Sequence, residues 1–352
     1  MSPPPAVSSQ VIPQTPRSRV LSVGVVIPTT GRSRLTAAVK SALTQSHLAD
    51  EVLVVVDGPL ELIAGIPLPE NDRLRVISAL PLSGKSATRN AGIRHLNTNL
   101  VAMLDDDDEW LPTKLELQIH AWEEASRLGV KYPVIGCRAI IQDWPGRTRG
   151  IQPKEVIQPG QRVGDFFFHR RYVLPGHGLL IPSMLLCDSE LARLTPFDES
   201  LRRHEDQDWL LRVGARDDTS LIQLTEPLIR YTEDAKGASH QPGWEDSFAW
   251  VMERGGLLTP GEQADCLLCH TAQRALVNGD LKGFLVVVRR VKRMGGASRK
   301  AWLWITAGVF AYALVDHLAT AVRRVRAAIG GAISTNSQLR PLGRPAPRRP
   351  RT

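Results

Sequence analysis

Four aspartates in a row, Asp105 to Asp108, followed by Glu109, stand directly after the apolar run 100–104. Like charges this close repel and raise one another's pKa. A fold holds such a cluster most readily where a cation neutralises it, and the hard cations Mg2+, Mn2+ and Ca2+ take oxygen ligands. A second acidic pair, Glu205-Asp206, opens a segment with helical spacing. A carboxylate placed there can take the proton of an attacking hydroxyl. Each group also has a plainer reading. The first would be a solvated acidic turn, and the second an acidic helix start favoured by the macrodipole.

The surrounding elements favour a site. The β-branched run 20–27 ending at Pro28 predicts a buried strand. Residues 33–45 have helical apolar spacing, with Ser33 as the expected N-cap. Further strands are predicted over 52–56, 74–77 and 100–104, with a helix over 86–96. Apolar strands alternating with helices predict an α/β fold whose mainly parallel central sheet has helices on both faces. The acidic cluster then lies at the carboxyl end of a strand, where open α/β sheets bind ligands. Pro112 opens an amphipathic helix to about Leu128. Shorter, often antiparallel strands are expected over 134–141 and 179–186, and a helix over 206–213. From Gly243 onward the chain reads as mostly helical, with a Pro/Arg tail from Ser334.

Charge separates the chain into two parts. Of the 352 residues, those from Asp280 onward carry 15 Lys/Arg against 2 Asp/Glu, whereas the remaining 279 carry 29 against 34. The basicity is a C-terminal property, which points to an anionic partner surface, lipid or nucleic acid. The basic stretch lacks interleaved stacking aromatics, so nucleic acid is the less favoured partner. Residues 301–322 form an apolar run interrupted at Asp316-His317 and flanked by basic groups. It is short for a spanning helix and predicts a helix lying on an anionic bilayer. The alternatives are a buried helix and a marginal span. Residues 1–19 have no apolar stretch of the secretory type and are expected to be disordered. The four cysteines are expected to be reduced thiols. The spacing Cys266-x-x-Cys269-His270 resembles c-type haem attachment, but no export signal accompanies it, and the segment fits a packed helix.

Five segments in order resemble the inverting family 2 glycosyltransferases: 23–32, 51–58, 84–93, 104–115 and 204–212, with 196–201 resembling the stretch before the last. The resemblance covers about 20–240 and implies a glycosyltransferase A-type fold. It implies that Asp105 and Asp107 are the defining carboxylates and the metal ligands, and that Mg2+ or Mn2+ bridges the diphosphate of a nucleotide-sugar donor. Pro28, Thr29, Asp57, Arg89, Asp105 and Asp106 are the donor-binding residues by the same resemblance. Val56 stands where the family carries the first of two aspartates, which leaves the nucleotide base open. Asp108 is read as an orienting group or a helix cap. Lys85 is expected at the surface. Asp206 is the implied base, with Glu205 as neighbour and alternative. His240 is the implied further metal ligand, and His177 a residue of the acceptor cleft.

The expected domains are a disordered 1–19, a catalytic domain over 20–240, a helical and membrane-associating 241–333, and a disordered basic tail over 334–352. The expected partners are a nucleotide-sugar donor, a glycan or lipid-linked acceptor and an anionic membrane surface, without nucleic acid. The expected place is the cytoplasm, peripheral to the inner face of the cell membrane. A protein of the same fold that binds nucleotide sugars without transfer is the alternative.

Overall fold

The computed structural model describes residues 21–79, 83–143, 146–169, 178–233 and 243–310. Three parallel strands open the fold: β1 (Val23–Thr29), β2 (Glu51–Val56) and β3 (Leu74–Ser78), with helix α1 (Leu35–Leu43) between the first two. Helix α2 (Gly84–His95) then leads to β4 (Leu100–Met103), which pairs with β1 on its other side. Every residue of β1 and β4 is buried. Burial on both faces is why these strands read as continuous apolar runs rather than alternating ones.

β1 lies between β2 and β4, so the chain changes direction across the sheet at this point. Such a switch opens a crevice at the carboxyl ends of the strands. Helix α2 lies close over it. A Cβ added at Gly92 would come within 2.5 Å of Val26 Cγ1 and 3.0 Å of Val55 Cγ2. Only glycine permits that approach, and it carries Arg89, one turn earlier, down beside the strand ends.

The remaining strands are β5 (Glu109–Trp110), β6 (Tyr132–Asp143), β7 (Arg147–Gln152), β8 (Leu186–Asp188) and β9 (Thr219–Glu233). Among the described residues the sheet has nine strands in the order β3-β2-β1-β4-β8-β6-β9-β5, with β7 on β6. β8 runs antiparallel to both β4 and β6, whereas β6 and β9 are parallel. The second half is therefore mixed, in line with the expected change in texture.

Three local expectations need correction. Ser33 does not cap α1; Arg34 holds the N-cap position without a side-chain bond. The predicted strand over 179–186 shrinks to Leu186–Asp188, because Pro182 lacks an amide donor and Pro182–Met184 forms a tight 3-10 turn instead. The Pro112 helix starts two residues later, as α3 (Lys114–Arg127), and Asp108 caps nothing there. Helix α4 (Val163–Phe168) and α5 (Ser189–Leu194) are further short elements, and α6 (Glu205–Gly214) matches the predicted acidic helix.

Beyond residue 243 come α7 (Trp244–Glu253), α8 (Pro260–Cys266), a π-helical turn (Leu267–Ala272), α9 (Gln273–Val277), α10 (Leu281–Met294) and α11 (299–310). Their buried residues, among them Trp250, Leu267, Leu268, Val287 and Ile305, join the same hydrophobic core as the sheet. All four cysteines are buried and form no disulfide with one another. Cys266 and Cys269 are packing residues within that core. No helix among the described residues is long and apolar enough to cross a membrane. Residues 311–322 of the predicted interfacial run lie outside the described residues, as do His177 and His240.

Candidate active site

A cleft of about 370 Å³ opens at the carboxyl ends of β1, β2 and β4. Pro28 and Thr29 end β1, Asp57 follows β2, and Asp105, Asp106 and Asp107 follow β4; all six line it. These are the predicted donor residues other than Arg89, together with Asp107, brought together from three strands.

The four aspartates divide by partner. Asp108 N donates to Asp105 O, which closes the acidic loop into a turn. Asp105, Asp107 and Asp108 each present a carboxylate oxygen within 4.8 Å of the others. Asp106 instead accepts from Thr29 Oγ1 at 2.6 Å, and Thr29 Oγ1 accepts from Gly31 N. Asp106 thus ties the acidic loop to the end of β1. Burial pushes its carboxyl above the usual range, more than Thr29 and Arg32 pull it down.

Arginines surround the cluster. Arg32 pairs with Asp107 and lies 3.6 Å from Asp106, and Arg34 lies 3.9 Å from Asp107. Arg89 Nη2 donates to Asp105 at 2.7 Å. Burial works against the charge of Asp105, but Arg89, Lys85 and Arg32 outweigh it and hold the group below its ordinary range. Asp108 is the opposite case. Burial, then Asp105 and Asp107, push its carboxyl well up. Its Oδ2 accepts from Ser183 Oγ, whose oxygen in turn accepts from Asp105 N. Its Oδ1 is buried and meets no hydrogen-bond donor among the described residues. Three hard oxygen donors in one patch, one of them buried and unsatisfied, fit a divalent cation such as Mg2+ or Mn2+.

Asp57 is already engaged. It accepts from Ser83 N, Ser83 Oγ and Gly84 N, so it caps the start of α2 from the end of β2 while lining the cleft. Lys85 is exposed, as expected, and also lines the cleft. Asp105 is the main cause that raises its pKa.

Arg89 differs from expectation. Its side chain is fully buried and is not among the residues that line the cleft. One end bonds Asp105, and Nη1 donates to Asp206 at 3.1 Å. Burial opposes its charge, yet Asp105, Asp206 and Glu205 together raise its pKa. Phe197 lies against the guanidinium, 5.5 Å from ring centroid to Cζ, and stacks on Trp209 of α6. Asn90 bonds the Phe197 backbone in both directions. The 196–201 segment thus holds α2 and α6 together.

Asp206 stands in the first turn of α6 beside Glu205. Burial and then Glu205 push its carboxyl up to about 7, against the pull of Arg89. A base is most effective with a pKa near the working pH. The helix is anchored by its N-cap, His204, which has a left-handed backbone (φ 63°, ψ 14°). Its Nε2 meets Ser247 Oγ of α7 at 2.8 Å, and Ser247 Oγ meets Thr271 Oγ1 at 2.8 Å. Asp208, two residues beyond Asp206, accepts from Arg212, Trp250 and Arg254.

Residues 24–188 match the model of "Glycosyl transferase family 2". These residues belong to glycosyl transferase family 2. The family 2 region carries β1 to β8 with the cleft and the acidic loop, in the glycosyltransferase A-type α/β arrangement, whereas Glu205, Asp206 and the C-terminal helices lie beyond it.

Two relatives illustrate the likeness. An uncharacterised glycosyltransferase of Haemophilus influenzae is 21% identical over 221 residues, covering 62% of this chain and 70% of that protein. The amylovoran biosynthesis glycosyltransferase AmsB of Erwinia amylovora is 25% identical over 231 residues, covering 63% and 73%. Among solved structures, S. aureus TarS aligns at 16% identity and TM-score 0.49, covering 81% of this chain and 50% of that one. A shorter TarS form in complex with UDP-GlcNAc aligns at 14% identity and TM-score 0.47, covering 81% and 84%.

Four residues of this site have roles that the sequence alone does not assign. Ser183 holds both Asp105 and Asp108, and its signal was the Pro182-Ser183 break within an apolar run. Arg32 and Lys85 lie in the 23–32 and 84–93 segments, where nothing in the chain signals that they face the acidic cluster. His204 precedes the acidic pair with no distinguishing signal in the chain.

Proposed function

We propose that this protein is an inverting glycosyltransferase that moves a sugar from a nucleotide-sugar donor to a hydroxyl of a glycan or lipid-linked acceptor. The setting is polysaccharide, glycolipid or cell-wall glycan synthesis at the inner face of the cell membrane. The observation that carries this reading is Arg89, whose guanidinium joins Asp105 of the acidic loop to Asp206 of α6. The group that faces the donor and the group that would take the acceptor proton are thereby held in one ion network.

The nucleotide would lie against Pro28, Thr29 and Asp57, with its phosphates toward Lys85 and Arg32. Asp105, Asp107 and Asp108 would hold Mg2+ or Mn2+, with His240 as a further candidate ligand. Such a cation, when bound, offsets the negative charge that develops on a departing diphosphate. Asp206 takes the proton of the acceptor hydroxyl as that oxygen attacks the anomeric carbon from the face opposite the leaving group. Glu205 and burial keep the Asp206 carboxyl near the pH at which proton uptake and ionisation balance. Arg89 holds Asp206 in place and offsets the charges of both carboxylates.

The test is turnover of a panel of nucleotide sugars with glycan and lipid-linked acceptors, following the configuration of the product. Inverted product that disappears in both Asp107→Ala and Asp206→Asn supports the reading. Donor binding without transfer across the whole panel would make the chain a nucleotide-sugar-binding protein instead. Retained configuration would exclude the role given to Asp206.

A further inference from the structure

We infer that the solvent-facing side of α10, continued by α11, is a docking surface for an anionic phospholipid bilayer. The inference rests on exposure and charge, and it stands whether or not the cleft transfers sugar.

Helix α10 has apolar residues on two sides. Gly283, Val287 and Val291 are buried at spacing i, i+4, i+8 and attach the helix to the core. Phe284, Val288 and Met294, partly buried, also pack against that core. On the solvent side Leu281, Leu285 and Val286 are exposed at 54%, 45% and 47%. Single exposed apolar residues are ordinary, but three within two turns form a patch. The exposed stripe 282, 285, 286, 289, 290 and 293 reads Lys-Leu-Val-Arg-Arg-Arg, so the apolar residues pass directly into arginines along one face.

Helix α11 repeats the arrangement. It follows a turn with Gly295 and Gly296 both at positive φ (71° and 80°). Arg299 and Lys300 are exposed at its start, and Leu303, Val309 and Phe310 are exposed beyond them, Phe310 at 73%. The side facing inward is fastened. Ser298 N donates to the buried Asp265, Trp304 Nε1 donates to Gln273, and Ala301 and Ile305 are buried.

Charge selects the occupant. Residues 281–310 contain seven Lys/Arg and no Asp or Glu. A second copy meeting this face on itself would set like charges together. The chain's own residues 311–352, with eight Lys/Arg and one Asp, would be repelled in the same way. Nucleic acid would satisfy the charge but leave the Leu and Val side chains without a partner, since those channels present stacking aromatics. A bilayer with anionic headgroups takes both: the basic side chains lie at the headgroups and the apolar ones insert below them. The contact therefore begins at Leu281, twenty residues before the apolar run that the sequence singled out.

The test is flotation of the full chain with vesicles of phosphatidylcholine alone or with about a third phosphatidylglycerol. Binding is expected only to the anionic vesicles, and it should weaken as salt rises. Each removed charge is expected to lower partition about fivefold, so Arg289→Glu with Arg293→Glu should reduce it at least tenfold. Leu285→Asp with Val286→Asp should do the same, while the circular dichroism and the unfolding temperature of both variants stay unchanged because these side chains do not pack in the core. Equal binding to neutral vesicles, or wild-type binding by both variants, would overturn the inference. So would a dimer that the variants dissociate, or duplex DNA binding that they abolish while vesicle binding persists. Donor turnover by the same samples without vesicles separates a failure of docking from a failure of the transfer chemistry.

Discussion

The imidazole of His204 lies nearly face to face with the indole of Trp250, ring centroids 4.4 Å apart and planes 15° from parallel. His204 is the residue before the acidic pair, and Trp250 belongs to the helices that follow the family 2 region. The C-terminal helices therefore act as a brace for Asp206. Trp250→Ala removes the stack and the Asp208 hydrogen bond together and is expected to cost about 3–5 kcal/mol of stability. His204→Asn keeps a residue that tolerates a left-handed backbone. It is expected to lower kcat while leaving the donor KM near wild type, because the donor cleft is built from other strands. Steady-state kinetics with urea unfolding checks both.

The same histidine makes stability pH-dependent. Burial pulls the pKa of His204 down to about 3, against an ordinary value of 6.5. The unfolded chain binds a proton below about 6.5 that the folded chain refuses until about 3. Stability from this group is complete above the unfolded value and declines as pH falls through that window. The slope approaches about 1.4 kcal/mol per pH unit. Thermal unfolding of wild type and His204→Gln at pH 7 and pH 5 should show a smaller loss in the variant. Equal losses would remove His204 from the acid response.

Activity should have its own acid limb. As the proposed base, Asp206 would work only when ionised, and its pKa is raised to about 7 by burial first and by Glu205 second. Arg89, Asp105 and Lys85 also face it. The rate is therefore expected to fall tenfold per pH unit below about 7 and to level off above. Asp206→Asn should lose at least about a hundredfold in kcat at every pH. A profile flat down to pH 5 would argue against Asp206 as the base.

Arg89 is the test of the ion network. Arg89→Met leaves two carboxylates without their shared cation, and breaking a pair of this kind costs about 3–5 kcal/mol where both partners are buried. Asp105 and Asp206 are partly exposed (19% and 24%), so the lower end is expected. The direction at the site is sharper. Arg89 pulls the Asp206 carboxyl down, so its removal should move the acid limb of the rate to higher pH. Denaturant unfolding and the pH–rate profile of one variant check both effects.

Metal binding has a readout apart from turnover. Mn2+ is expected to raise the unfolding temperature of the wild-type chain. Asp107→Asn and Asp108→Asn should each weaken apparent affinity at least tenfold in calorimetric titration. Unchanged affinity in both would detach the cation from the acidic loop.

Much of the cleft was legible in the chain because it is made of strand ends. Val23–Thr29, Glu51–Val56 and Leu100–Met103 are buried on both faces, so their apolar runs are unbroken, and Pro28, Asp57 and Asp105 to Asp107 mark where each run stops. Less of the second half could be read. Leu179 to Leu186 is as apolar as a strand, yet Pro182 and the Ser183 bonds to the acidic loop turn it aside. Arg89 reads from its motif as a donor contact, because nothing in a sequence distinguishes an arginine facing a cleft from one buried behind it.

The sequence by itself determined the alternation of strands and helices, the acidic loop at a strand end, the acidic helix about a hundred residues later and the basic C-terminal segment. Local spacing and residue type suffice for these. Only the tertiary structure decided which aspartate meets which partner: Asp106 with Thr29, Asp108 with Ser183, and Asp105 with Asp206 through Arg89. These pairings span from 16 to 117 positions and depend on how closely Gly92 lets α2 approach the sheet. Charge and burial act through space, so the pKa of Asp206 and the brace behind it exist only once distant segments are packed together.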